Sequence, residues 1–294
     1  MNFKDLSYYG FNMLEFIIKY TPMPFVDFLK KILLFSVYHL DNKRKKVICI
    51  NLNLAYGNTL SKEKKEEITK KVYENFINNL FEFIELSFIS KEELRKRIEF
   101  KNLDKIKEYL NKGPVIFSGA HFGNWEIATS AIGAFVTPIS AVVRNIDNPK
   151  LNEKIKRTRE KFGVRIYNKK GALKKLMRDL KNNKSIGILV DQNTAENEGV
   201  ETVFFGKKVL HTPSACLLSK KFKIPIVMGF VEKEKDKWII DFKEIFYADD
   251  IKKCVDKQSK IIEEEVKQYP ELWYWMHRRF KHFYENEYNK KCRV

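Results

Sequence analysis

Ser118-Gly119-Ala120-His121-Phe122-Gly123-Asn124-Trp125-Glu126 follows the short apolar run Val115-Ile116-Phe117 and leads into a stretch of helical composition, 122–135. A buried-type strand, a glycine-flanked polar turn and then a helix is the order of an α/β layered sheet, in which ligands collect at the carboxyl ends of strands. Gly119 and Gly123 on either side of His121 permit close backbone approach and unusual dihedrals. A histidine beside a carboxylate is the minimum needed to activate a hydroxyl, with the imidazole taking the proton and the acid fixing its tautomer. Residues five apart on a regular helix differ by about 140° in direction. His121 and Glu126 therefore meet only if the histidine precedes the first turn, which Gly123 makes feasible. Taken alone, such a pair is more often a cap or a satisfied core histidine than a catalytic unit.

Outward from this window the same order repeats. Apolar runs at Ile139 to Val143, Ile186 to Val190, Ile224 to Val231 and Trp238 to Phe242 alternate with helical segments at 148–162, 171–183 and 212–223. This alternation predicts an α/β fold. The uncharged stretch Ile127–Val143 contains Gly133 and Pro138, so it reads as helix, turn and strand rather than a membrane span. Upstream, residues 61–112 read as helical, with Ser61 as an N-cap and Ser90-x-x-Glu93 spaced as a capping box. The first forty residues are apolar but broken by Glu15, Lys19, Asp27, Lys30 and Lys31, and divided at Pro22 and Pro24. Two short amphipathic helices fit there, running into the basic cluster Lys43-Arg44-Lys45-Lys46. They suit either an anionic membrane interface or packing on the protein's own core.

The 294 residues carry 56 Lys and Arg against 38 Asp and Glu, a formal charge of +18. That balance points to an anionic partner, discounted because only 11 of the 56 are Arg and a lysine bias can reflect genome composition. Cys49, Cys216, Cys254 and Cys292 lie far apart with no C-x-x-C pair. They exclude a zinc ribbon, suggest no disulfide framework and favour a reducing, cytoplasm-facing location. Met1–Tyr9 lacks the pattern of a cleavable leader. No Gly-x-Ser-x-Gly elbow, Walker loop, G-x-G-x-x-G or H-E-x-x-H is present, so an acyl-serine enzyme and nucleotide or zinc-protease chemistry lack a foothold. Asp191-Gln192 and Arg144 stand just past strand-like runs, where a cleft would use them. Near the C-terminus, Trp273-Tyr274-Trp275-Met276-His277-Arg278-Arg279-Phe280-Lys281 mixes aromatics with cations. Three readings stand for it: phosphate-binding arginines beside interfacial aromatics, aromatics that stack nucleic-acid bases, or an aromatic anchor in the core with a solvated basic edge.

The ordered set of motifs resembles the lipid A biosynthesis (lauroyl/myristoyl) acyltransferase family. It runs from Arg44-x-x-Val47 and Asn51-Leu52 through the His121 window, Val143-Arg144, Asn148-Pro149, Arg159-x-x-Phe162-Gly163 and Asp191-Gln192. It continues through Phe204-Phe205-Gly206, Thr212-Pro213 and Pro270-Glu271 to Trp275-x-His277-Arg278-Arg279-Phe280-Lys281. The resemblance implies transfer of a fatty acyl chain from an acyl carrier protein thioester to a hydroxyl of a lipid A precursor, with no cofactor. It carries H-x4-E onto His121, as general base, and Glu126, as its orienting partner. Arg144 becomes the candidate oxyanion stabiliser. Asn124, Asp191 and Gln192 would shape the substrate site, and Arg159, Arg278 and Arg279 would hold phosphates. It also implies a mixed sheet layered with helices, of the glycerolipid acyltransferase type, as an acyltransferase domain over 47–294. Membrane-associating helices over 1–46 would hold it at the cytoplasmic face of the inner membrane. The expected partners are the carrier protein, a phosphorylated glycolipid acceptor and an anionic membrane surface, with no nucleic acid, which is the weaker reading because the basic residues are scattered and no binding motif is present. Two alternatives remain: another glycolipid or glycerolipid acceptor, and a non-enzymatic basic membrane- or nucleic-acid-binding protein.

Overall fold

The computed structural model of the chain describes residues 5–292, so part of the Met1–Tyr9 reading lies outside the described residues. Helices α1 (Leu6–Tyr20) and α2 (Met23–Leu40) come first, separated at the two prolines. Pro24 lies in the first turn of α2, where a missing N–H removes no helical bond. Next come α3 (Asn42–Tyr56), capped by Asp41, and the long α4 (Lys62–Leu86), capped by Ser61 as its sequence predicts. Val26 of α2 packs with Ile77 and Phe81 of α4, so one face of the N-terminal pair does belong to the core. The Ser90–Glu93 capping box forms at the head of α5 (Lys91–Lys96). Residues 61–112 are not helical throughout, however. Strand β1 (Ile98–Lys101) separates α5 from α6 (Leu103–Leu110). Ile98-Glu99-Phe100-Lys101 alternates in polarity, and pairing at a sheet edge overrides its local preference.

From there the chain runs β2 (Ile116–Gly119), α7 (Trp125–Phe135), β3 (Ile139–Val143), α8 (Pro149–Glu160), β4 (Val164–Asn168), α9 (Ala172–Lys181) and β5 (Ser185–Leu189). A separate antiparallel hairpin, β6 (Val200–Phe204) and β7 (Lys207–His211), precedes α10 (Ser214–Phe222). Strands β8 (Ile226–Glu234) and β9 (Lys237–Phe246) lead to α11 (Ile251–Gln268) and α12 (Lys281–Asn289). The seven-stranded sheet has the order β1-β9-β8-β2-β5-β3-β4 and is parallel at every pairing except the β8–β9 hairpin. Its alternating residues divide between two cores. Phe117, Val227, Ile240 and Phe242 face α7, and Ile116, Ile186, Ile226 and Met228 face α9, α10 and α11. The architecture is the mixed, helix-layered α/β sheet behind N-terminal helices that the sequence predicts. Among the described residues no helix is long and apolar enough to cross a membrane.

The cysteine reading is corrected. Cys49 is disulfide-bonded to Cys292 and Cys216 to Cys254, each pair with Cα atoms 6.0 Å apart. The partners stand 243 and 38 positions apart in the chain. Only the folded arrangement of α3 against the C-terminal segment, and of α10 against α11, brings them together. Cysteine usage therefore no longer argues for a reducing compartment.

The turn after β2 is held from three sides. Gly123 has φ +54°, and a Cβ there would run into the carbonyl of Val231 on β8. Its amide donates to the Leu272 carbonyl at 2.9 Å, and its carbonyl accepts from the Asn79 side chain of α4 at 2.7 Å. Gly57 has a similar φ of +52° but nothing within 4 Å of its would-be Cβ. Gly57→Ala should thus cost only backbone strain, about 1–3 kcal/mol. Gly123→Ala adds a backbone clash and should lower the melting temperature clearly more, as thermal unfolding of the two proteins side by side would reveal.

Candidate active site

His121 leaves the carboxyl end of β2 and Asp191 the carboxyl end of the neighbouring β5, so the sheet itself brings the two together. His121 Nδ1 lies 2.7 Å from Asp191 Oδ1, and the His121 backbone amide donates to Asp191 Oδ2 at 3.0 Å. The Trp273 indole donates to the same Oδ2 at 2.8 Å. Asp191 is only 3% exposed. Its burial works against ionisation, but the His121 charge and these three donors outweigh that and hold the carboxyl well below the usual range. Burial likewise lowers the His121 pKa, while Asp191 raises it through charge and hydrogen bond, and the net shift is upward. An ionised Asp191 accepts from Nδ1–H, which leaves Nε2 as the basic nitrogen of the neutral ring. Nε2 faces the Gln192 amide at 3.3 Å.

Glu126 is not on the imidazole. Arg159 of α8 grips it with two bonds, Nε to Oε2 at 2.9 Å and Nη2 to Oε1 at 2.6 Å. The helical geometry explains the difference: Glu126 belongs to the first turn of α7 and faces α8, whereas His121 stands before the helix and faces β5. Arg159 is accordingly committed to Glu126 rather than free for a phosphate. Asn124 is fully buried and caps α7, accepting from the Ile127 amide at 3.1 Å while its own amide donates to Glu82 at 2.7 Å. It supports the turn and does not face a substrate. Glu82 is also paired with Lys233 at 2.8 Å.

The C-terminal cluster resolves in favour of the core anchor. Trp273, Trp275, Arg279 and Phe280 are at most 2% exposed. Arg279 donates to the carbonyls of Gln192 and Leu210 and to His211 Nδ1, so it braces the Asp191-Gln192 segment from behind and meets no phosphate. Burial lowers its pKa to about 10. Arg278 lies over the Tyr288 ring and faces Glu285 at 3.9 Å. His277, its pKa lowered by burial to about 4, is neutral and accepts from the Asn193 amide at 2.9 Å. The backbone of this segment pairs with the His121 turn: Tyr274 N donates to the His121 carbonyl at 2.9 Å.

A cavity of about 1020 Å³ opens beside the His121 ring and runs between α7 and the sheet. Its floor includes the row Ile166, Ala141, Gly187, Phe117 and Val227, in register across β4, β3, β5, β2 and β8. Gly187 and Ala141 keep the middle of that row low. Exposed Ile146, Leu173, Leu189 and Leu217 border the mouth, together with Arg144 and Lys169, which form no ion pair among the described residues. His121, Glu126, Arg159 and Gln192 all line this cavity. It is a largely apolar slot with the His121 imidazole at one point of its wall.

A family model described as bacterial lipid A biosynthesis acyltransferase matches residues 2–282. The chain belongs to that family. A lipid A biosynthesis acyltransferase of Haemophilus influenzae (strain ATCC 51907 / DSM 11121 / KW20 / Rd) is 21% identical over 266 residues, covering 88% of this chain and 83% of that protein. The present lipid A acyltransferase therefore transfers acyl groups in lipid A biosynthesis. Of the residues its sequence marks, His121, Glu126, Arg144, Arg159 and Gln192 line the cavity, Asp191 bonds His121, and Asn124, Arg278 and Arg279 lie outside the lining. The part played by Trp273 was not legible, although the tryptophan lies only two positions before the family's Trp275-x-His277 motif.

Asp191→Asn tests the dyad through pH. The raised His121 pKa places the acid limb of kcat/KM above the ordinary histidine value of 6.5. Replacing the carboxylate by an amide removes the charge that favours imidazolium, so the limb should move to lower pH. The plateau should fall by about 10²–10⁴ as the tautomer is lost. A profile from about pH 5 to about pH 9 in which the limb stays in place would exclude His121 as the titrating base.

Proposed function

We propose that this acyltransferase moves a fatty acyl chain from an acyl carrier protein thioester to a hydroxyl of a phosphorylated lipid A precursor by direct attack, with His121 as the general base. The observation that carries this reading is the His121–Asp191 pair at the wall of an apolar cavity deep enough for an acyl chain. The acceptor hydroxyl replaces the Gln192 amide at Nε2 and gives up its proton there. Its oxygen adds to the thioester carbonyl carbon. Arg144, exposed at the mouth, stabilises the resulting oxyanion. Collapse breaks the carbon–sulfur bond, and the imidazolium returns its proton to the departing thiolate, leaving an ester and a free thiol. No acyl-enzyme forms. Asp191 takes the orienting role first assigned to Glu126, and the Glu126–Arg159 pair fixes α7 to α8 and gives the cavity a rigid wall. With Arg159 and Arg279 committed and Arg144 at the oxyanion, Lys169 is the lining cation left at the mouth for an acceptor phosphate.

The N-terminal helices support attachment to the cytoplasmic face of an anionic inner membrane. Leu6, Tyr9, Met13, Phe16 and Tyr20 form one exposed apolar stripe on α1, and Phe25, Phe28, Ile32 and Phe35 form another on α2. Lys19, Lys30, Lys31 and the 43–46 cluster supply the charge that favours acidic headgroups. Ser7, Asn12 and Glu15 of α1 reach Asn148 and Lys154, which places the apolar pair close to the cavity mouth.

The decisive assay is acyl transfer from carrier thioesters of several chain lengths to a lipid A precursor. His121→Ala should lose at least ~100-fold; an undiminished rate would sink the mechanism. In the same assay Gly187→Leu raises the cavity floor and should shift the preference to shorter chains at little cost to the best rate. Product formed only with a different glycolipid would keep the chemistry and change the acceptor. For the membrane face, Phe16→Glu/Phe28→Glu protein with an unaltered melting curve should no longer sediment with phosphatidylglycerol vesicles, and retained binding would refute the interfacial role.

A further inference from the structure

We propose that α9, together with the end of β4, is the surface on which the acidic protein carrying the acyl thioester docks. The inference rests on the carrier-thioester reading above. Residues 165–184 contain eight cations, Arg165, Lys169, Lys170, Lys174, Lys175, Arg178, Lys181 and Lys184, and a single acid, Asp179. Asp179 is 1% exposed and is spent internally, accepting from Ser140 Oγ at 2.7 Å and Tyr167 Oη at 2.8 Å. None of the eight forms a salt bridge among the described residues. Elsewhere the pattern differs: on α8 and α11, exposed lysines and arginines are paired with glutamates or aspartates four residues away.

The helix is two-faced. Ala172, Leu176, Asp179 and Leu180 are buried, and Lys174, Arg178 and Lys181 recur at i, i+4 and i+7 on the outside. Its first turn ends at the cavity. Leu173, 50% exposed, and Lys169 line the mouth beside Arg144. A partner held by Lys169, Lys170 and Lys174 is thus within about one helical turn of the opening through which an acyl chain enters, with Arg178 and Lys181 extending the contact along the helix. Lipid is the weaker occupant. Membrane insertion needs a row of apolar groups such as those of α1 and α2, whereas α9 exposes Leu173 alone beside its cations. Unpaired charge around one apolar contact is the pattern of an electrostatically steered protein encounter.

Lys174→Glu/Arg178→Glu, both outside the catalytic machinery, tests this with two donors, the acyl carrier protein thioester and the same acyl group on a small pantetheine thiol. KM for the carrier-borne donor should rise roughly 10-fold at low salt, and the penalty should shrink in concentrated salt. The pantetheine donor and vesicle sedimentation should be unchanged, and Lys174→Gln/Arg178→Gln should give a smaller rise. An unchanged carrier KM would overturn the docking surface alone. Equal losses with both donors, or loss of vesicle binding, would assign α9 to folding or to the membrane. Parent protein that used pantetheine but not the carrier would defeat the carrier reading itself, and the docking surface with it.

Discussion

One buried carboxylate organises the reactive end of this protein. Asp191 accepts from the His121 ring, from the His121 backbone and from the Trp273 indole, and so ties together three segments that are distant in sequence. A carboxylate so enclosed stays ionised only while its donors remain in place, because an unpaired buried charge is expensive. The requirement runs both ways. The histidine needs the carboxylate to hold its tautomer, and the carboxylate needs the histidine and tryptophan in order to remain charged.

The remaining structure serves to keep those donors still. Trp273 and its neighbours form an aromatic block, with Trp273 and Trp275 at 4.6 Å and Phe204 against Trp273 at 5.3 Å. Asn51 of α3 fastens the segment by donating to the Trp275 and His277 carbonyls at 2.7 Å each. On the other side α4 presents Asn75, Asn79 and Glu82 at i, i+4 and i+7 to the Glu271 carbonyl, the Gly123 carbonyl and the Asn124 amide. The three form one polar stripe, and each member fixes the backbone or cap of a loop at the site.

The layered α/β class, most strands, the Ser61 cap and the Ser90–Glu93 capping box were legible because they follow from local periodicity and turn chemistry. The strands β1, β4, β6 and β7 were not, since all four lie at a sheet edge or in the separate hairpin, where no continuous apolar run is needed. His121 was legible from its glycine-flanked position after a strand. Its partner was misread because proximity in sequence favoured Glu126, whereas the parallel pairing of β2 and β5 delivers Asp191 from 70 residues away. The arginines show the same limit. Arg159 and Arg279 look like phosphate ligands in sequence, and only the fold reveals that one clasps Glu126 and the other holds backbone carbonyls. The two disulfides join distant segments and leave no local mark.

The floor of the cavity has a mechanical consequence. It is made of hydrogen-bonded strands in register, not of loose helices, and a sheet of this kind resists bending and cannot swell to admit a few extra carbons. A slot with so stiff a base measures its guest. Each methylene left outside forfeits about 0.8 kcal/mol of burial, close to a fourfold change in occupancy. On the proposed acyl-slot reading, discrimination between neighbouring chain lengths becomes a property of backbone geometry, adjustable at Gly187 or Ala141 without touching His121 or Asp191.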